Sequence, residues 1–406
     1  MILHARDLDA FVAESDRLGG PGSSECEAYW YGFSYRPNVV VDQDLDPFSD
    51  AYVEQQLELY HELSGRRFDQ VQNEQAALDP APLITAVNPY DHPDPSEFSL
   101  HVERLSRALR LGAPRRGAHL LDMGCGWGLS SEVAAYAGLT VTAVDINPQF
   151  VDLVNGRASR MGHPISAEVG TFDDYVPTRA VDMILFYECL HHALRPWTVL
   201  ERLTKSLVSD GCVALAGEPV NMEWWRHWGM RLDALSVYCI RKFGWFESGW
   251  SLAFIRQVFA HCGLTMEAIL DADARVGYTL IGRPATFDRQ TAGRWLATGE
   301  SKGIVIEGDY GVIGERAELN MIMPVQGQAN LRFHNFRSTP LHLKVTSADA
   351  VLFDDVTPHG DVVIAVPRRG AITSVKIEAE TWVPDVELGN GDHRSLSIHL
   401  AEVYFV

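Results

Sequence analysis

The sequence predicts an α/β fold, a doubly wound and mainly parallel sheet. An acidic, mainly helical region precedes it and an all-β sandwich or small barrel follows. Three observations carry this reading. Over residues 97–285, short apolar runs alternate with amphipathic stretches, the order expected of strands and helices that cover both faces of a parallel sheet. At the first strand-to-helix junction stands "LLDMGCGWG" (120–128), three glycines after an apolar run and just before a helical pattern. From about residue 300, segments such as "ANLRFHNF" and "LHLKVTS" alternate with period two between turn residues.

The elements follow in order. Residues 1–96 form an N-terminal region in which "DAYVEQQLELYHELSGRRFD" (50–69) spaces its apolar residues as a helix ending at Ser-Gly. "NPYDHPDPSEF" (88–98) carries three prolines and reads as a hinge. In 97–285, "HLLDM", "LTVTAVDI", "ISAEVGTF", "VDMILFYECL" and "GCVALAGEP" are strands, with helices between most of them. "LTMEAILDA" and "RVGYTLIGRP" follow as consecutive strands, an antiparallel hairpin at the sheet edge. Residues 286–406 are the β domain, a candidate for carbohydrate binding or for pairing of two copies of the chain.

Charge and composition exclude several classes. The net charge of −20 argues against nucleic acid, whose phosphates would be repelled. Most of the excess acid precedes the glycine loop: residues 1–97 hold 19 Asp or Glu against five Arg and no Lys. Such a surface is either simply solvated or meets a basic partner or a cation. No stretch reaches the ~20 apolar residues of a membrane span, and no signal peptide is evident. The six cysteines (Cys26, Cys125, Cys189, Cys212, Cys239, Cys262) form no CxxC pair, which fits reduced thiols and a cytoplasmic protein.

The loop does not read as a dinucleotide site. Gly124 and Gly126 fit GxGxxG, but the third position is Leu129. Asp122 beside the loop would repel a phosphate and tolerate a cationic ligand. Asp145, about 20 residues on, stands where a carboxylate accepts ribose hydroxyls. These residues together describe S-adenosylmethionine. "HLLDMGCGWGLSSEVAAYAGLTVTAVDINPQFV" resembles the first motif and second-strand acid of class I S-adenosylmethionine-dependent methyltransferases, which have a Rossmann-like sheet. "VDMILFYECLHHALRPWTVL" and "ESGWSLAFIRQVFAHCGL" resemble their fourth strand, in the Leu-His-His branch, and their late helix. The resemblance implies that Gly124, Cys125, Gly126 and Gly128 lie against the cofactor and that Asp122 reaches its amino group. It implies that Asp145 binds the ribose, Ile146 covers adenine, Phe172 and Asp173 contact adenine, and Tyr187 joins the wall.

The carboxyl end of a central strand is where ligands sit in such sheets. There "YECLHH" offers His191 or His192 as general base for a hydroxyl acceptor, with Glu188 orienting it or binding the acceptor. The other reading of both histidines is as part of the turn beside the cofactor. A divalent metal held by Glu188, His191, His192, Glu218 and His227 is a further reading with no fixed ligand spacing behind it, so the expectation is no metal. Trp224, Trp225, Trp228 and Trp250 are either an acceptor-binding surface or a hydrophobic cap, and Arg226 and Arg231 candidates for an acceptor anion. The N-terminal "DPFSDAYVEQQLELYHELSGRRFDQVQNE" resembles segments ahead of the methyltransferase domain in bacterial glycan-modifying enzymes. The leading expectation is O-methylation of a carbohydrate or glycan precursor. The alternatives are O-, N- or C-methylation of a specialised metabolite, and a cofactor-binding scaffold without catalysis.

Overall fold

Side-chain caps punctuate the first hundred residues. In chain order the elements are β1 (Ile2–Leu3), α1 (Leu8–Arg17), α2 (Ser24–Trp30), β2 (Ser34–Tyr35), α3 (Asp50–Ser64), α4 (Gln70–Asn73), α5 (Pro80–Thr85) and α6 (Pro95–Gly112). Ser23, Ser49, Asp69, Asp79 and Asp94 each accept a backbone N–H from the first turn of the helix that follows. Gly65 closes α3 in the left-handed region, φ 69°. In this computed structural model the described residues are all but 76, 91–93, 221–224, 287–289, 297–299, 325 and 349, together with the side chains at 294 and 388. They divide into two units, Met1–Val258 with Met266–Arg283, and Phe259–Thr265 with Pro284–Val406.

The alternation after α6 builds a seven-stranded sheet. Its elements are β3 (His119–Met123), α7 (Leu129–Tyr136), β4 (Thr140–Asp145), α8 (Pro148–Met161), β5 (Ile165–Val169), β6 (Val181–Tyr187), α9 (Pro196–Leu203) and β7 (Leu207–Ala216). After an excursion through β8 (Trp228–Met230), α10 (Ala234–Phe243), β9 (Ser248–Trp250) and α11 (Leu252–His261), the chain returns as β10 (Leu264–Leu270) and β11 (Tyr278–Pro284). The strand order is β10-β11-β7-β6-β3-β4-β5. β5, β4, β3, β6 and β7 run parallel, and β11 runs antiparallel to β7 at the edge side. Every residue of β3 is buried, as a central strand covered on both faces requires.

The N-terminal helices belong to this unit. Along α3, Tyr52 and Tyr60 are fully buried and donate their hydroxyls to the carbonyls of Trp228 (2.7 Å) and Gly244 (2.6 Å). Gln56 on the same helix accepts from Met230 N–H at 3.0 Å. Trp228 and Trp250, paired across β8 and β9, are both fully buried, and the Trp228 indole N–H donates to the Pro47 carbonyl. These tryptophans are therefore the hydrophobic cap of the two readings, because α3 and the 40s loop close over them and leave no surface for an acceptor.

The second unit holds β12 (Gln290–Thr291), β13 (Glu300–Glu307), β14 (Tyr310–Ile322), β15 (Gln328–Asn335), β16 (Leu341–Ser347), β17 (Ala350–Thr357), β18 (Gly360–Pro367), β19 (Ile372–Ala379) and β20 (His399–Phe405). Its path is β17-β16-β19-β14-β20-β15-β18, with β13 on β14 and β12 on β20. Alternate residues such as Leu341, Leu343 and Val345 enter one core with Leu319, Leu331, Phe333, Val375, Ile377 and Leu400. The strands form one continuous sheet that curls toward a barrel, nearer the barrel than the sandwich of the two forms expected.

One buried ion pair joins three helices of the first unit. Arg157 on α8 donates to Glu132 on α7 at 2.5 Å and to the carbonyls of Leu83 and Ala86 at the end of α5. Replacing Arg157 with Met strands a buried carboxylate and two carbonyl acceptors. The expected loss is about 3 kcal/mol of stability, read as a lower urea midpoint at pH 7.

Candidate active site

The glycine loop connects β3 to α7, and each of its three glycines has positive φ: 67° at Gly124, 48° at Gly126 and 85° at Gly128. A Cβ at Gly124 would meet Cys189 at 2.9 Å, and one at Gly128 would meet Val154 at 2.6 Å. At Gly126 a Cβ would meet nothing within 4 Å, because this residue borders a cavity. The loop is pinned from β4: Gly124 and Cys125 N–H groups donate to the Val144 carbonyl, and Gly126 N–H donates to Asp145 Oδ2 at 2.8 Å. Asp145 Oδ1 accepts from Asn147 N–H at 2.9 Å. Burial raises the Asp145 pKa, and these two backbone donors hold the shift back.

A cavity of about 210 Å³ opens over the loop. Met123, Gly124, Cys125, Gly126, Trp127 and Ser130 of the loop and its flanks line it, together with Asp145, Ile146, Phe150 and Phe172. Tyr187, Glu188, Cys189 and His192 come from the end of β6. Gln70, Glu74 and Tyr90 come from the N-terminal region. The topology explains the gathering: β3, β4 and β6 are adjacent and parallel, so their carboxyl ends share one edge.

Most residues expected to hold the cofactor meet here. Gly124, Cys125, Gly126, Asp145, Ile146, Phe172 and Tyr187 all line the cavity. Asp122 lies behind the wall, fully buried, and accepts from the hydroxyls of Ser130 (2.6 Å) and Ser131 (2.5 Å). Its Oδ1 is a buried acceptor with no protein partner, and burial lifts its pKa to about 6. Gly128 packs on Val154 beneath the loop. Asp173 is exposed and faces away from the cavity in a turn organised by Thr171 and Asp174. Burial also pushes the Cys125 and Cys189 thiols well up, so neither is a thiolate at neutral pH.

The two histidines have different surroundings. His191 is buried between two carboxylates, Nδ1 at 2.8 Å from Glu218 and Nε2 at 3.4 Å from Glu247. Burial opposes its charge, but the two acids outweigh burial and raise its pKa to about 9. Glu247 is held near 2, since His191 and the neighbouring cations overcome its own burial. Glu218 further accepts the N–H groups of Cys189, Leu190 and His191, which fixes the 3₁₀ turn Leu190–His192. An imidazolium with both nitrogens engaged has no lone pair for a proton, so His191 is removed as base. His192 lies on the cavity wall.

Glu188 does not orient either histidine. It stands at φ 52°, an uncommon value for a residue with a side chain, and Gly217 leaves the room its Cγ occupies. Its carboxylate pairs with Arg104 of α6 and lies 3.8 Å from His101 Nδ1. His101 Nδ1 is also 2.5 Å from the Tyr187 hydroxyl. The five-residue metal set does not assemble: Glu188 pairs with Arg104, and the His227 ring packs against Tyr52. Ligand atoms of His191, His192 and Glu247 do come within 4.8 Å of one another, and protons on His191 account for its contacts there.

On the acceptor side, Trp224 lies outside the described residues, and Trp225 donates its indole N–H to the Met230 carbonyl. Arg226 pairs with Asp44, and Arg231 with Asp233 and Glu247. Neither guanidinium borders the cavity. Among the cavity-lining residues that sequence reasoning missed are Gln70, Glu74, Tyr90, Trp127 and Phe150. Trp127 sits inside the glycine motif itself, and its indole packs edge to face on Tyr90 (5.5 Å) and tilted against Phe150 (4.7 Å). Glu74 and Tyr90 carry no local signal, because only the folded N-terminal region brings them to the sheet.

The His191 triad makes stability depend on pH in a defined direction. Its folded value near 9 exceeds the ordinary 6.5, so its stabilisation is complete below 6.5 and lost as pH rises through 9. Glu247, depressed to about 2 from 4.5, contributes fully above 4.5 and loses its contribution as pH falls through 2. Urea unfolding should therefore show a decline of up to about 3 kcal/mol between pH 6.5 and 9, and His191→Gln should flatten that slope.

A family profile described as a methyltransferase domain matches residues 121–215. Curated relatives include the ubiquinone biosynthesis O-methyltransferases of Actinobacillus pleuropneumoniae serotype 5b (31% identical over 101 residues, 23% of this chain and 43% of that one) and Xanthomonas euvesicatoria (28% over 165 residues, 40% and 60%). The chain thus spans about two fifths to three fifths of these relatives' length. Among solved structures, a SAM-dependent methyltransferase from Aquifex aeolicus aligns with TM-score 0.36 and 16% identity, over 51% of this chain and 97% of that one. The glycine loop, the Asp145 anchor and the segment that matches a methyltransferase domain thus lie on one sheet.

Proposed function

We propose that this protein transfers a methyl group from S-adenosylmethionine to a hydroxyl of a small acceptor, with His192 as the general base. The observation that carries the reading is the convergence on one cavity of the glycine loop, Asp145 and a histidine at the end of β6. The residues present suit the cofactor. Asp145 keeps lone pairs free for ribose hydroxyls, Asp122 Oδ1 is an unfilled buried acceptor, and Gly126 leaves its approach open. Ile146 and Phe172 supply apolar faces for adenine. When bound, the cofactor supplies an electrophilic methyl group on a sulfonium.

The chain's own residues then have three tasks. Trp127 packs edge to face on Tyr90 and tilted against Phe150, giving the cavity an apolar wall that favours a reaction that neutralises charge. Glu188, Gln70 and Tyr187 line the remaining wall and are placed to orient a hydroxyl. His192 takes one proton from the acceptor for each methyl group transferred, leaving a neutral ether and an imidazolium. Carboxylate, amide and ring groups on one wall suit a polyol, which supports a carbohydrate or glycan precursor as acceptor class. A phenolic acceptor is the second reading, favoured by the ring-rich wall and by the name ubiquinone biosynthesis O-methyltransferase among the relatives.

Incubation with methyl-labelled S-adenosylmethionine and panels of nucleotide sugars, oligosaccharides, catechols and amines tests this. Label should appear on hydroxyl acceptors. His192→Ala should lower kcat about 100-fold or more, with cofactor affinity by calorimetry nearly unchanged. Asp145→Ala should weaken that affinity by about 30-fold, the scale of two lost hydrogen bonds. Labelling of amines alone, or full turnover by His192→Ala, overturns the proposal.

A further inference from the structure

Resting on the reading above, we infer that Glu74, carried by the acidic N-terminal region, is the positioning residue that orients His192, leaving Nε2 as the nitrogen that accepts the proton. Glu74 follows directly on α4, and its Oε2 lies 3.1 Å from His192 Nδ1. That nitrogen is buried from solvent and lacks an in-line hydrogen bond, so the adjacent carboxylate is the group that meets its proton after a small rotation of the ring. The carboxylate is itself immobilised: Oε1 accepts the Phe246 N–H at 2.7 Å. The segment is anchored too, since Asn73 donates to the Tyr60 hydroxyl (2.7 Å) and to the Arg67 carbonyl (3.2 Å). Gln70 reaches the His192 carbonyl at 3.4 Å from the other end of α4.

Other charged groups face this ring. His191 stacks at 4.3 Å between centroids, Glu247 brings an oxygen within 4.8 Å, and Asp145 lies across the cavity. Glu247 is already committed to His191 and Arg231, and Asp145 to two backbone N–H groups. Glu74 is thus the acid left to bind the Nδ1 proton and to balance the imidazolium once His192 has accepted a proton at Nε2. The N-terminal region then does more than cover the cavity. It supplies the second member of the base.

The tautomer of His192 tests this without an acceptor. Long-range ¹H–¹⁵N spectra of histidine-labelled full-length protein, with His192 assigned by its disappearance in His192→Gln, report which nitrogen of the neutral ring carries the proton. The wild type should hold it on Nδ1, and Glu74→Gln should shift the tautomer ratio toward Nε2–H by about tenfold, the scale of one charge-assisted hydrogen bond. A wild-type ring protonated on Nε2 overturns the inference even if the variant folds poorly, and so does an unchanged ratio in a folded Glu74→Gln. Failure of methyl transfer in the labelling experiment would sink the proposed function while leaving the tautomer result to stand. An unchanged tautomer alongside active enzyme would sink only the role of Glu74.

Discussion

A buried positive charge between two buried carboxylates holds the candidate site together. The chain leaves β6 at Tyr187 and must turn at once, so that Cys189 meets the glycine loop and His192 reaches the cavity. Glu218, from the end of the neighbouring strand, binds three N–H groups of that turn and Nδ1 of His191. Glu247, beside β9, pairs with Nε2 on the opposite edge of the ring. Taking these charges out of water is costly, and only mutual pairing with satisfied backbone donors offsets it. What the arrangement provides is geometry: the ends of β6, β7 and β9 are locked to one another, and the following residue is delivered to the wall.

The same lock explains why adjacent histidines differ in chemistry. His191 is spent on charge balance, while His192, one residue on, lines the cavity and is the residue proposed for proton transfer. Identical side chains in sequence are thus divided by which acids the tertiary fold brings to each. The Glu188 carboxylate, which local spacing placed beside the histidines, is drawn instead toward Arg104 on α6.

The excursion between β7 and β10 and the acidic N-terminal helices form one packed body. Tyr52, Gln56 and Tyr60 on α3 insert into the β8–β9 hairpin and the end of α10, and their hydroxyl and amide groups satisfy backbone groups that the buried tryptophans would otherwise isolate. That packing sets α4, and with it Glu74 and Gln70, on the rim of the cavity. The acidic surplus of this region is mostly solvated surface, with one carboxylate turned inward at the site.

The amino-acid sequence alone determined the sheet, the glycine loop and the carboxylate of Asp145 at the end of β4. These depend on short-range features: period, positive-φ positions that only glycine adopts easily, and a carboxylate at a strand end. It determined equally that the last third would be β, since Leu341, Leu343 and Val345 alternate with polar neighbours whatever they pack against. Tertiary structure decided the rest. Whether Trp228 faces an acceptor or a core depends on α3, roughly 170 residues away in sequence, closing over it. Which carboxylates each histidine meets depends on Glu218, Glu247 and Glu74, which come from three separate parts of the chain. Burial and long-range charge have no local signature, so the different surroundings of the two histidines in "LHH" could be read only after folding had brought those acids to them.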